Sequence, residues 1–217
     1  QQYNATCRAH HAPLLARGVG VDVIESSCDL DPYRLVIAPM LYMLRPGVAE
    51  SLTRFVERGG TLVTTYLTGL VDEHDLCFTG GFPGPLRKLL GVWAEETDAL
   101  LEVDVQSVTP IEGNVLGLRG THKARHYADI IHAESATVLA TYDHDFYAGS
   151  PAVTLNRVGL GRVVHVAARL EDAFVDGLLG RLVEALDLPR RDLPPGVHSH
   201  RRGGLEFLFN WTNRSLS

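Results

Sequence analysis

Apolar and polar positions fall in blocks along the 217-residue chain, and the period of each block assigns an element. Residues 2–17 read as a helix that Gly18 stops. The short β-rich run VDVIE (21–25) follows, then a polar loop over 26–32. LVIAPM (35–40) is continuously apolar, the pattern of a strand buried on both faces. Pro46 opens a helix and Gly59-Gly60 close it. Within it Val48, Leu52, Phe55 and Val56 fall at i, i+4, i+7 and i+8, one apolar stripe. LVTTYL (62–67) is the next strand. Strand, helix and strand at this spacing form a βαβ unit, so the fold class is α/β and the sheet is at least partly parallel.

Pro83 or Pro85 begins a short helix that runs through Leu90 and ends at Gly91. From 98 to 170 the texture changes to β-rich runs: LLEVDV, THKARHYADII, ATVLATY, AVTLN and GRVVHVA. LNRVGLGRVVHV predicts a hairpin with Gly159-Leu160-Gly161 at its tip. Residues 171–186 form a helix with Glu171 and Asp172 at its positive end. Phe174, Val175, Leu178, Leu179, Leu182, Val183 and Leu186 give it a broad buried face. PRRDLPPG (189–196) has the composition of a linker, and LEFLF (205–209) reads as a strand of something further on.

Composition narrows the classes. The apolar share of 45% and charged share of 21% are those of a soluble globular protein. The length admits one sizeable core, or one domain and the start of another. A net charge of −6 argues against a nucleic-acid surface, which needs a basic face. No apolar run approaches the ~20 residues of a membrane span, and the first residues lack a signal-peptide core. Cys7, Cys28 and Cys77 read as free thiols of a cytoplasmic protein. The acceptor patterns at Asn4, Asn210 and Asn213 are then chance matches.

The stretch from 62 to 86 concentrates the candidate chemistry. After the strand come Asp72, Glu73, His74 and Asp75, then Cys77, then GGFPGP. Adjacent carboxylates on one loop do not straddle a sugar as glycoside hydrolysis requires, so a solvated or arginine-paired loop is the better reading. His74 beside Asp72 and Asp75, the pair His10-His11, and His198-Ser199-His200 all lack a companion cluster with zinc spacing. No metal and no cofactor is expected. A nucleophile elbow, of the kind class I glutamine amidotransferases build around cysteine, needs glycines flanking the nucleophile. The turn here reads Tyr66-Leu67-Thr68-Gly69, with no thiol. A phosphate cradle is excluded as well, because GGFPGP carries two prolines that lack donors. The residues alone describe an α/β domain without a catalytic set, which is what a binding or assembly module looks like.

Two long segments resemble a known family. YRLVIAPMLYMLRPGVAESLTRFVERGGTLVTTYLTGLVDEHDLCFTGGFPGPLRKLLGVWAEETDAL resembles the trimerisation domain of family 42 glycoside hydrolase β-galactosidases, and DFYAGSPAVTLNRVGLGRVVHVAARL its later part. GVHSHRRGGLEFLFNWTN resembles the first strands of the small β domain that follows. The resemblance implies a flavodoxin-like, class I glutamine amidotransferase-like domain with a partly parallel sheet over residues 1–190. It implies a linker and a truncated all-β segment over 191–217. It also implies a homotrimer of identical subunits and a catalytic TIM barrel elsewhere in the parent chain. Both catalytic glutamates of these retaining enzymes belong to that barrel, so no catalytic residue carries over. The family's domain normally opens with a strand before the helix at 2–17, so this chain reads as a fragment. Asp72, Glu73, His74 and Asp75, with Phe82 and Pro83 of the proline turn, are expected to face another subunit or rim its active-site mouth. The alternatives are a self-standing small-molecule (sugar) binding domain of the same fold, and a stand-alone amidotransferase-like hydrolase.

Overall fold

In the computed structural model, which describes residues 2–215, helix α1 (Gln2–Ala16) leads into strands β1 (Leu35–Ala38) and β2 (Met43–Leu44). Helix α2 (Val48–Glu57) and strands β3 (Thr61–Thr65) and β4 (Val71–Asp72) follow. A 3₁₀ turn (Gly84–Leu86) then runs into helix α3 (Arg87–Leu90). Next come β5 (Val92–Asp98), β6 (Gln106–Pro110), β7 (His122–Ala133), β8 (Thr137–Tyr142), β9 (Pro151–Val158), β10 (Gly161–Val166) and β11 (Ala168–Leu170). Helix α4 (Asp172–Ala185) and strands β12 (Val197–Arg202) and β13 (Leu205–Asn210) complete the order. The chain divides into two compact units, one of Glu25–Glu171 and one of the residues up to Ile24 with those from Asp172 on.

The larger unit is built on a mixed sheet in the order β1-β3-β10-β9-β8-β6-β7-β11, with β5 paired to β7. β1, β3 and β10 are parallel; the remaining pairs are antiparallel. The expected βαβ unit is therefore β1-α2-β3, and the expected glycine-tipped hairpin is β9-β10. The α2 stripe does what its spacing predicts: Val48, Leu52, Phe55 and Val56 are all buried, packed in one cluster with Leu62 of β3, Val163 of β10, and Leu89 and Leu90 of α3. Gly91 ends α3 with φ +67, where any Cβ would lie within 3.0 Å of Ser135 and Asn156, so both backbone and space require glycine.

Three expectations need correction. VDVIE (21–25) is not a strand: Val23 is 89% exposed, and β-propensity forms no strand without a partner to pair with. LLEVDV (100–105) is likewise irregular, closed by a turn from Asp104 N–H to Leu101 C=O, and the strand begins only at Gln106. β1 is half-buried along its length rather than buried on both faces, because among the described residues it is the sheet's edge and pairs only with β3. β5, with acidic residues breaking its pattern, gave no sequence signal of its own; its pairing with β7 makes it a strand.

In the smaller unit α1 packs along α4. The face foreseen on α4 is buried through Phe174, Val175, Leu178, Leu179, Leu182 and Val183, with Leu186 half-buried beyond the helix end. Arg17 forks onto Asp176 through Nη1–Oδ1 (2.6 Å) and Nη2–Oδ2 (2.9 Å), which holds the Asp176 carboxyl below its ordinary range. β12 and β13 form an antiparallel hairpin, and every residue of β13 is exposed.

Candidate functional site

The acidic loop after β3 is a closed hairpin. β4 pairs with β2, and a bridge links Val71 to Cys77. Asp72 Oδ1 accepts the backbone N–H groups of His74 (2.9 Å) and Leu76 (3.0 Å), and Asp72 N–H donates to Leu76 C=O (2.9 Å). Those two donors push the Asp72 carboxyl below its ordinary range. Asp72 is thus a structural residue of its own loop. Glu73, His74 and Asp75 are exposed, with His74 Nε2 3.6 Å from the Glu73 carboxylate. Phe82 and Pro83 lie away from this acidic tip in sequence. They are joined by a cis peptide, and Phe82 C=O accepts from Ala94 N–H (2.9 Å).

Phe82 and Pro83 help to line a cavity of about 150 Å³, beside Leu70, with Tyr42 and Cys77 exposed at its lip. The strand register brings polar groups to the same place. Thr97 of β5 is paired directly with Asp129 of β7, and Thr64 of β3 with His165 of β10. Asp129 Oδ1 accepts from Thr97 Oγ1–H (2.7 Å) and Oδ2 from Leu67 N–H (2.9 Å). Its peptide is fixed as well, by Asp129 N–H to Ala167 C=O (2.7 Å) and Tyr142 O–H to Asp129 C=O (3.0 Å). Burial, only partly offset by the two donors, raises the Asp129 carboxyl to about 6. His165 Nδ1 shares a hydrogen bond with Thr64 Oγ1 (2.9 Å), and burial lowers its pKa to about 4, so the ring is neutral at physiological pH.

The turn that follows β3 has the backbone of an elbow without its chemistry. Leu67 takes φ +55, a left-handed conformation that L residues adopt at a cost. Thr68 Oγ1–H donates to Thr65 C=O (2.5 Å) and Gly69 N–H to Leu41 C=O (2.8 Å), which together fix the turn. The residue at the strained position is a leucine, so the turn presents no nucleophile. Cys77 is exposed on the neighbouring hairpin, and all three cysteines are free thiols. Among the described residues no three His, Cys, Asp or Glu side chains converge as a metal site needs. No helix among them is long and apolar enough to cross a membrane.

The polar loop at 72–75 and the proline turn are legible in the sequence, whereas Asp129, Thr97, His165 and Leu67 are not. A single acid inside HYADII and a single histidine inside VVHV were the available signals.

The fold and this cleft define an α/β domain with a mixed sheet, a separate antiparallel hairpin, and, among the described residues, no catalytic constellation at its strand ends. Residues 1–189 match the profile described as beta-galactosidase trimerisation domain, and the chain belongs to that family. It is 49% identical over 205 residues to the β-galactosidase Pbg of Clostridium perfringens, covering 93% of this chain and 30% of that protein. It is 51% identical over 205 residues to the β-galactosidase BglY of Alicyclobacillus acidocaldarius, again 93% and 30%. The crystal structure of the β-galactosidase from Rahnella sp. R3 superposes with a TM-score of 0.92 at 48% identity, over 97% of this chain and 32% of that one. The chain therefore spans about 30% of the length of the curated relatives it matches. The alternative of a self-standing sugar-binding domain is not favoured by this pattern.

Proposed function

We propose that the chain is the assembly part of a larger β-galactosidase and that it forms a homotrimer with identical copies. The observation that carries this reading is the match of residues 1–189 to the trimerisation domain. Hydrolysis of terminal β-D-galactosyl residues is then the work of a TIM barrel elsewhere in a cytoplasmic parent protein, acting with retention. In this reading residues 1–190 are the trimerisation domain, with a flavodoxin-like, amidotransferase-like core. Residues 191–217 are a linker and the opening strands of a C-terminal β domain.

The hairpin and the proline turn are the surfaces assigned to subunit contact or to the rim of a neighbouring active site. Asp72 supports this by stiffening the hairpin from within, so that Glu73, His74 and Asp75 are offered to a partner with little ordering left to lose. Phe82 and Pro83 are held by the Ala94 hydrogen bond in the same way. Light scattering on the chain over a concentration series tests the assembly reading. A mass near three times 23.8 kDa supports it, whereas a monomer with native circular dichroism counts against trimer contacts residing here. Alanine at Glu73, His74 and Asp75 in the full-length enzyme tests the surface. Unchanged trimer stability together with unchanged kinetics would remove the hairpin from the interface.

A further inference from the structure

Asp129 is a buried carboxylate without a counter-charge among the described residues. It is 5% exposed, and its carboxylate accepts two hydrogen bonds where its oxygens offer about four lone-pair sites. A buried carboxylate is strongly unfavourable unless it is paired or fully hydrogen-bonded. The cavity beside it is lined by no lysine or arginine. His165, which could supply a positive charge there, is kept neutral by its own burial. Glu96 adds a second carboxylate on the exposed side. The remaining wall is mainly apolar, with Leu70, Phe82 and Pro83 prominent. A volume of about 150 Å³ is room for a small molecule of several heavy atoms.

We propose that this cavity is a binding site for a small organic cation, a primary alkylammonium whose head pairs with Asp129 and whose short stem lies against Leu70, Phe82 and Pro83. A metal ion is a worse occupant, because the described residues bring no three metal-ligating side chains together. A neutral polyol would leave the carboxylate charge uncompensated. The site lies within the larger unit and is independent of the assembly reading.

The Leu67 amide donates to Asp129 and is therefore a direct reporter. Propylammonium chloride is titrated into the 217-residue chain at neutral pH, with sodium chloride at matched ionic strength and propanol as controls, while the Leu67 resonance is followed by ¹H–¹⁵N NMR. The expected result is a saturable shift with propylammonium, none with sodium chloride, and propanol binding at least about tenfold weaker. Asp129→Asn weakens the response by at least about tenfold. Ala94→Phe, which fills a lining position while keeping Asp129, removes it and decides the matter if Asp129→Asn does not fold. No saturable shift, an equal response to propanol, or unchanged binding by folded Asp129→Asn overturns the proposal. Light scattering on the same samples separates two sources of the ammonium. An unchanged mass at saturation assigns the site to a free amine, and a falling mass to a lysine of a second copy that the probe displaces.

Discussion

Replacing Asp129 by asparagine isolates the energetic consequence of burying its carboxyl. Asparagine is nearly isosteric, and its carbonyl accepts the Leu67 N–H while its NH₂ donates to Thr97 Oγ1, so each existing partner keeps a hydrogen bond, with Thr97 turned from donor to acceptor. What changes is titration. The folded chain holds the Asp129 proton up to about 6, against 3.8 for an ordinary aspartate. Protonated Asp129 therefore favours folding. That contribution is full below about pH 4, falls as pH rises through about 6, and is absent above it. A gap of about two pKa units, at about 1.4 kcal/mol each, makes about 3 kcal/mol. Urea unfolding of both proteins, followed by fluorescence of Trp93 in the same unit, gives the free energies from about pH 4 to about pH 7.5 in amine-free buffer. The stability of Asp129→Asn minus that of the wild type should rise by about 2.5 kcal/mol across this range, the first part of the gap lying below pH 4, with the variant at least as stable at the upper end. Other titrating groups around the site, including Glu96, His165 and Tyr142, are common to both proteins and cancel in the difference to first order. A difference that stays flat within about 0.5 kcal/mol would refute the reasoning, because the buried group would then titrate alike in folded and unfolded chains.

Phe55→Ala empties the space between α2 and the sheet and should cost about 3–5 kcal/mol in the same urea assay, since Phe55 is 3% exposed among buried neighbours. Asp72→Ala removes the acceptor of two backbone donors, so the amides of His74 and Leu76 should lose hydrogen-exchange protection while those of β3 keep theirs.

Periodicity carried the elements whose order is local. The i, i+4, i+7, i+8 stripe of α2 survives as its buried face, and Gly159-Leu160-Gly161 makes the β9–β10 hairpin because both ends of the turn lie within a few residues. It failed where pairing decides. VDVIE and VWAEETD differ in outcome because β5 pairs with β7 while, among the described residues, the earlier run pairs with no strand, a fact no window on either segment contains. The site failed for the same reason. Leu67 and Asp129 are 62 positions apart, and Thr64 and His165 are 101 apart, so only the sheet register brings them together. The acidic hairpin was legible as a polar loop, but Asp72 looked like its neighbours until its carboxylate was seen to be spent on its own backbone.

The left-handed turn at Leu67 gives a last test of what holds this cleft in shape. A non-glycine residue at φ +55 carries roughly 1–2 kcal/mol of strain, which persists only if its surroundings impose it. Three hydrogen bonds do so: Leu67 N–H to Asp129, Thr68 O–H to Thr65, and Gly69 N–H to Leu41. Glycine adopts the same φ freely, so Leu67→Gly relieves the strain while keeping all three bonds. It also removes a half-buried side chain, whose burial contributes about 1 kcal/mol. The two effects offset, and the variant should unfold within about 1 kcal/mol of the wild type. At Leu62, fully buried in β3, the same change should cost more than about 3 kcal/mol because no strain is there to relieve. Were Leu67→Gly to lose as much as Leu62→Gly, the leucine side chain rather than the hydrogen-bonded turn would be holding the geometry, and Asp129 would lose its role as the anchor of the cleft.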